Sequence, residues 1–226
     1  MINEIEKVLK VFADNDLFEE GVELIGSWSF YFYQKYLGVE FFPLRTQDVD
    51  FLIPNPFKGK SNHNFLNQLS ELGFHHDFRS DGSVYFWNTE LKVEFITENK
   101  GRGAEEAIHI QKLGINAIPL RFMGLLLEDS ILIENSDIKV RIPHPKNFCL
   151  YKLIIADRRR AEEKRLKDLQ QVICVFKILD KDEFVQAFKS LPKGWQSKIL
   201  KTIKEHKEAL PLYYEEFEEL LFTLHG

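Results

Sequence analysis

The sequence predicts an α+β domain, with a small mixed or antiparallel sheet and flanking helices, followed by a C-terminal helical region. Residues 1–143 combine short strand-like runs with helical spacing, whereas residues 144–226 keep the three- and four-residue spacing of helices almost throughout. Pro143 and Pro145 lie at the change, where proline disfavours the continuation of a helix or a central strand. We therefore expect two domains, 1–143 and 144–226.

The composition predicts a folded protein, and we expect it to stay in the cytoplasm. Of 226 residues, 44% are hydrophobic and 29% are charged, and the apolar runs are too short for a membrane-spanning helix. Residues 1–6 are polar and acidic, unlike a secretory signal. The two cysteines, Cys149 and Cys174, are isolated, as expected of free thiols in a reducing compartment. Because the net charge is −5, a site for a polyanion must be local.

The elements of the first domain follow from local patterns. Ile2, Ile5, Leu9 and Phe12 recur at helical spacing, and Gly73 lies where glycine ends a later helix. Alternation of polar and apolar residues between turn segments predicts strands. In chain order we expect a helix at 2–12, a strand at 22–25, a helix at 28–36, a strand at 49–53, a helix at 61–72, an antiparallel meander at 74–79, 83–87 and 91–96, and short strands at 117–120, 130–133 and 138–142.

The second domain is expected to be helical because its apolar residues keep helical spacing and strand signals are few. Neither an internal repeat nor a low-complexity tract is visible. The helices are expected at 146–156, 161–179, 181–190, 194–207 and 213–224.

Two aspartates, Asp48 and Asp50, flank Val49 in a short apolar strand. Successive side chains of a strand point to opposite faces, so both carboxylates face one side, with their Cα atoms about 7 Å apart. Val49 and Phe51 then point into the apolar core. Two neighbouring carboxylates repel each other unless a cation lies between them, and Mg²⁺ prefers carboxylate oxygens. The pattern predicts a site for a divalent metal ion.

Glu94 is the candidate for a third carboxylate. It is flanked by Val93 and Phe95 within a strand, which repeats the arrangement of the aspartates. Glu90 and Glu98 are alternatives, but both lie at the ends of the expected strand, where an acidic residue needs no special explanation.

Gly26 and Ser27 stand between an expected strand and an expected helix, ahead of the aspartates. Glycine allows the backbone to approach a phosphate closely, a serine hydroxyl can bond to a phosphate oxygen, and the free N–H groups of a helix start favour an anion. An ordinary strand-to-helix turn explains the pair about equally well. As part of a site, the pair would bind nucleotide phosphates.

Taken together, Gly26-Ser27, Asp48-Val49-Asp50 and Glu94 resemble the motifs of the polymerase-β-like nucleotidyltransferase superfamily, which are a glycine turn, an Asp-x-[Asp/Glu] strand and a later acid. Arg45-Thr46 is similar to the dipeptide that often precedes the aspartates in a bacterial branch related to abortive-infection toxins. Twenty residues, 28–47, separate the turn from the aspartates, which is longer than in many members of the superfamily.

The resemblance implies an enzyme that transfers an NMP from an NTP to an acceptor and releases pyrophosphate, with Mg²⁺ or Mn²⁺ as cofactor. It implies that Asp48, Asp50 and Glu94 are the catalytic metal ligands. The acceptor can be a protein, an RNA or a small molecule. A non-catalytic nucleotide- or partner-binding protein of the same fold is the alternative, and a metal-dependent phosphohydrolase is a weaker one. The nucleotide-binding residues implied are Gly26, Ser27, Arg45 and Thr46.

A basic segment lies early in the second domain. Between residues 151 and 170, seven basic residues stand against four acidic ones, although part of this pattern is typical of a salt-bridged helix surface. Lys152 lies on the apolar side of its expected helix, near Phe148 and Ile155. We expect Lys152 to contact the NTP phosphates, and Arg158 to contribute little.

Overall fold

The computed structural model describes residues 2–41, 43, 46–62, 64–100, 106–210 and 213–222. It confirms the α+β class. The chain divides into two compact units, one formed by Met1–Phe32 and Leu44–Pro143, the other by Tyr33–Pro43 and His144–Gly226. The segment Tyr33–Pro43 is thus grouped with the helical unit although it precedes most of the sheet, and the expected domains, 1–143 and 144–226, stay a prediction.

The first unit contains the sheet, a hairpin and the helices that cover them. β6 and α4 were not expected from the sequence, because a three-residue strand and a single helical turn are too short to show a period. The elements are α1 Ile2–Asp14, β1 Glu23–Ile25, α2 Gly26–Tyr36 (which runs on into the second unit), β2 Asp48–Ile53, α3 Asn64–Glu71, β3 His75–Phe78, β4 Val84–Trp87, β5 Lys92–Glu98, β6 Ile108–Ile110, β7 Ile115–Leu120, α4 Gly124–Leu127, β8 Ile131–Asn135 and β9 Ile138–Ile142.

The sheet is mixed, with the order β1-β2-β5-β4-β3. β3, β4 and β5 form the expected antiparallel meander. β2 pairs with β1 in antiparallel orientation but with β5 in parallel orientation. β7 lies parallel to the last part of β5 and pairs with β6, while β8 and β9 form a separate hairpin. The parallel contact of β2 with β5 joins two segments that are distant in sequence.

One face of the sheet is covered by α1 and forms an aromatic core. Phe12 of α1 stacks on Phe51 of β2, with ring centroids 3.7 Å apart, and lies 6.4 Å from Phe95 of β5. Since side chains alternate along a strand, the residue next to each of the two strand phenylalanines belongs to the opposite face. That opposite face carries Asp50 and Glu94.

The second unit is helical, as expected. Its core includes Phe176, whose ring centroid lies 5.2 Å from that of Phe184 and 4.2 Å from that of Phe217. In the described part of the chain no helix is both long and apolar enough to cross a membrane. The helices are α5 Pro145–Ala156, α6 Glu162–Phe176, α7 Lys181–Ser190, α8 Lys193–Glu205, a 3₁₀ turn at Lys207–Ala209 and α9 Tyr214–Phe217, which continues as a π-helical turn over Glu218–Phe222.

Glu23 of β1 is a buried acid whose carboxylate is only partly hydrogen-bonded. Its relative exposure is 1%, and among the described residues its Oε2 atom has no hydrogen-bond partner. Burial raises the pKa of Glu23 to about 8, against the smaller opposing effects of a hydrogen bond with Ser130 and the charge of Arg141. The folded protein therefore holds a proton that the unfolded chain releases at lower pH.

We expect Glu23→Gln to flatten the pH dependence of stability. A pKa that folding raises contributes stability below the unfolded value of 4.5, and this stability is lost as the pH rises through about 8. Between pH 6 and pH 9 the wild type should lose roughly 2–3 kcal/mol more unfolding free energy than Glu23→Gln. Denaturant unfolding at several pH values measures this. Glu19→Gln is the control, because Glu19 is exposed, and it should keep the pH dependence of the wild type. The same dependence of unfolding free energy on pH in Glu23→Gln and the wild type would contradict the assignment of a buried acid.

Candidate active site

The two aspartates lie at the start of β2, on the face of the sheet away from α1. Asp48 is exposed and Asp50 is half-buried, whereas Val49 and Phe51 are fully buried. The alternation expected from the sequence is therefore present: the apolar side chains belong to the core and both carboxylates belong to the other face. The Asp48 amide donates a hydrogen bond to the Thr46 hydroxyl at 3.2 Å, which fixes the backbone where the strand begins.

Glu94 of β5 is the register partner of Asp50. Neighbouring strands lie about 4.8 Å apart, so the backbones carrying these two carboxylates are adjacent, on the same face of the sheet. Asp48 pairs in the same way with Lys92. The sequence predicted Glu94 from its apolar neighbours, and the parallel pairing places it beside the aspartates.

The alternative third carboxylates lie elsewhere. Glu90 is in the turn before β5, outside the strand. Glu98 is four residues beyond Glu94, which is about 13 Å along the strand, and its carboxylate packs so closely on Gly124 that a Cβ atom there would clash with Glu98 Oε1. Position therefore favours Glu94 as the partner of Asp50.

The turn between β1 and α2 lies directly against Asp50. Ile25, the last residue of β1, is the register partner of Asp50. Gly26 follows with a φ of +70°, and a Cβ atom on it would lie 3.0 Å from Asp50 Oδ2. Both the left-handed backbone and the close approach favour glycine at this position. Ser27 follows in the first turn of α2, so Gly26, Ser27 and the first N–H groups of the helix lie at the aspartate side of the site.

Glu94 is engaged by two cations that the sequence did not point to. Arg79 Nη2 and Lys92 Nζ both contact Glu94 Oε1. Lys92 stands two residues before Glu94, so their shared face could have been inferred from strand alternation. Arg79 follows β3 and gives no such signal, because its approach to Glu94 depends on the pairing of β3, β4 and β5.

The three carboxylates offer the hard oxygen ligands that Mg²⁺ and Mn²⁺ take. Because Gly26 has no side chain, the backbone of the turn approaches Asp50 closely, and the donor chemistry of the three carboxylates fits a divalent metal ion. In the described part of the chain, the set whose ligand atoms lie within 4.8 Å of one another is a different one, Asp157, Glu205 and His206. Lys201 contacts both of those acids, at 3.0 and 3.6 Å, and offsets part of their negative charge.

The sequence also predicts that Arg45 and Lys152 contact the nucleotide. Arg45 lies outside the described residues. Lys152 is buried on α5 and its Nζ lies 2.5 Å from Asp168 Oδ1. Arg159 Nε contacts the other oxygen of Asp168 at 2.7 Å. This buried cluster gives Lys152 a structural role, so its contact with a nucleotide stays a prediction.

The family follows from comparison with known proteins. A family model described as nucleotidyltransferase matches residues 3–194 of the chain. The chain therefore belongs to this nucleotidyltransferase family. No curated protein sequence is significantly similar to it.

A solved structure shares the fold at low sequence identity, and two others align less closely. An antigenic nucleotidyltransferase-like protein from Paracoccidioides brasiliensis is similar over 94% of this chain and 93% of its own, with 14% identity and a TM-score of 0.53. The antibiotic-resistance factor ANT(2″)-Ia aligns over 95% of this chain and 97% of its own, with 12% identity and a TM-score of 0.42. A tRNA nucleotidyltransferase aligns over 88% and 59%, with 21% identity and a TM-score of 0.22. Of these three structures, the first has a TM-score above 0.5 and shows the fold.

Proposed function

We propose that this protein transfers an NMP from an NTP to an acceptor and releases pyrophosphate, with Mg²⁺ or Mn²⁺ bound by Asp48, Asp50 and Glu94. The observation that carries the proposal is the adjacency of Gly26, Asp50 and Glu94 across three neighbouring strands or their ends. It brings the glycine turn, which would bind phosphates, and the carboxylates of two strands to one place. Membership of the family supports the transferase class.

Each residue has a distinct part in the proposal. Asp48 and Asp50 would hold both metal ions, and Glu94 would hold the ion on the side of the attacking group. When bound, two metal ions stabilise the attacking and leaving oxygens of a phosphoryl transfer. Gly26, Ser27 and the N–H groups at the start of α2 would bind the NTP phosphates, and the charges of the aspartates would hold the metal beside them.

The remaining predicted contacts support this arrangement less directly. Thr46 holds the start of β2 through its hydrogen bond with the Asp48 amide, so it acts on the position of Asp48.

Cys149 and Cys174 are both free, which suits the reducing cytoplasm expected from the sequence. Membership of the branch related to abortive-infection toxins stays a prediction.

A non-catalytic binding protein is the rival, since a nucleotidyltransferase fold can keep a nucleotide site without turnover. The two possibilities differ in one product. A transferase releases pyrophosphate and leaves the NMP on an acceptor, whereas a binding protein returns the NTP unchanged.

Labelled NTPs test the proposal. Each NTP is supplied with Mg²⁺ and a cell extract, labelled either at the α- or at the γ-phosphorus. We expect α-label on an acceptor and γ-label in pyrophosphate, with both lost when the metal is chelated. Release of γ-label as inorganic phosphate without α-label on any acceptor would indicate a phosphohydrolase, and binding without either product would support the rival.

A further inference from the structure

A pair of cations next to the candidate carboxylates has no role in the proposed nucleotide contacts. Arg79 and Lys92 both contact Oε1 of Glu94, and their side chains keep 31% and 33% of their exposure while that of Glu94 keeps 12%. In the described part of the chain, Glu94 Oε2 makes neither an ion pair nor a hydrogen bond. Two half-exposed positive charges therefore share one carboxylate oxygen.

The ring of Tyr85 holds both cations independently of Glu94. Tyr85 is the register partner of Glu94 on β4. Arg79 Cζ lies 5.5 Å and Lys92 Nζ lies 5.0 Å from the centre of this ring, which is within the range of cation–π attraction. The cations therefore keep an attractive partner at this position if Glu94 turns to another ligand.

The cation pair and the glycine turn lie on opposite sides of the aspartates. Across the sheet, Gly26 follows β1, the aspartates lie on β2, Glu94 and Lys92 lie on β5, and Tyr85 lies on β4. In phosphoryl transfer the attacking group approaches the phosphorus on one side while the leaving group departs roughly in line on the other. If the NTP phosphates lie at Gly26, the attacking acceptor comes from the side of Arg79 and Lys92.

We propose that Arg79 and Lys92 bind a phosphate group carried by the acceptor, and that Glu94 releases them when it turns to a divalent metal ion. The acceptor is thus a phosphorylated compound, and this inference rests on the proposed function. A divalent ion held by Glu94 would repel both cations and take their counter-charge, so they would need another anion. A phosphate accepts several charge-assisted hydrogen bonds, including the paired donors of arginine.

The first experiment measures the binding of labelled inorganic phosphate by equilibrium dialysis, to protein saturated with Mg²⁺ and a non-hydrolysable NTP analogue. Arg79→Gln and Lys92→Gln should each weaken phosphate binding about tenfold, the loss of a hydrogen bond to a charged group. Lys100→Gln is the matched control, because Lys100 is an exposed lysine paired with Glu98 at 3.3 Å, and it should bind phosphate as the wild type does. Affinity for the analogue should stay unchanged in all three variants.

The second experiment needs neither metal nor nucleotide. Without them, Glu94→Gln should bind phosphate about tenfold more tightly than the wild type, because Arg79 and Lys92 have lost their counter-charge. Unchanged phosphate affinity in this variant would overturn the inference even if the chain transfers nucleotides. Weaker binding of the analogue, rather than of phosphate, in Arg79→Gln would also overturn it, since the cations would then serve the NTP. Failure of the wild type to bind the analogue at all would count against the proposed function alone.

Discussion

Asp50→Asn should reduce nucleotidyl transfer by roughly two to three orders of magnitude, the size of loss that follows when a preorganised electrostatic partner of the transition state is removed. Asp50 is the residue common to both halves of the site, since it pairs with Ile25 before the glycine turn on one side and with Glu94 on the other. Its amide analogue keeps the size of the side chain and removes the charge. Initial rates of pyrophosphate release with saturating Mg²⁺ and NTP measure the change.

The fold of Asp50→Asn should remain intact, because the substitution relieves repulsion between neighbouring carboxylates. Asp77→Asn is the matched control. Asp77 lies on β3 in register with Tyr85, which is in register with Glu94, so it faces the same side of the sheet about 14 Å from Asp50. We expect it to keep wild-type activity. Equal rates for Asp50→Asn and the wild type would contradict the assignment of the active site to Asp50.

Asp168→Ala should lower the free energy of unfolding by about 3–5 kcal/mol, the cost of leaving a buried charge without its partner. The side chains of Lys152 and Asp168 keep only 7% and 4% of their exposure. Burial alone raises the pKa of Asp168, but the charges and hydrogen bonds of Lys152 and Arg159 together lower it below the usual value. An acid whose pKa is lowered by folding stabilises the folded state at pH values above its pKa in the unfolded chain. This contribution is lost as the pH falls through its pKa in the folded protein.

Chemical denaturation at pH 7 measures this loss. Asp157→Ala is the control, because Asp157 forms an exposed ion pair with Lys201 at 3.0 Å in the same unit, and exposed pairs contribute only about 0–1 kcal/mol. The double variant Lys152→Met with Asp168→Leu should recover most of the stability, since it removes both buried charges. A loss in Asp168→Ala no larger than that in Asp157→Ala would contradict the assignment of a buried pair.

Strand alternation was sufficient to predict how Asp48 and Asp50 face, because that property depends on neighbouring residues alone. The placement of Glu94 beside Asp50 was not accessible in the same way. It depends on the parallel register of β2 with β5, and the connection that brings these strands together includes α3, β3 and β4. The sequence could nominate a third carboxylate from its apolar neighbours, but it could not give the distance between the two strands.

The basic segment shows the limit of charge patterns. Seven basic residues between 151 and 170 suggested a site for phosphates. Asp168 is one of four acids in the same segment, and the fold of α5 against α6 places it inward, against Lys152 and Arg159. Conversely, Arg79 reaches Glu94 from outside β5, so no local pattern of charges indicated this contact. Tertiary packing decides which charged side chains pair with each other, and the composition of a segment does not reveal that packing.

The most direct test counts Mn²⁺ ions by electron paramagnetic resonance on protein saturated with a non-hydrolysable NTP analogue. For the wild type we expect two ions per chain, as the two-metal scheme requires, and for the double variant Asp48→Asn, Asp50→Asn we expect the protein-dependent binding to be lost. The same number of ions bound with the same affinity by both proteins would contradict the claim that these aspartates form a metal-dependent nucleotide site.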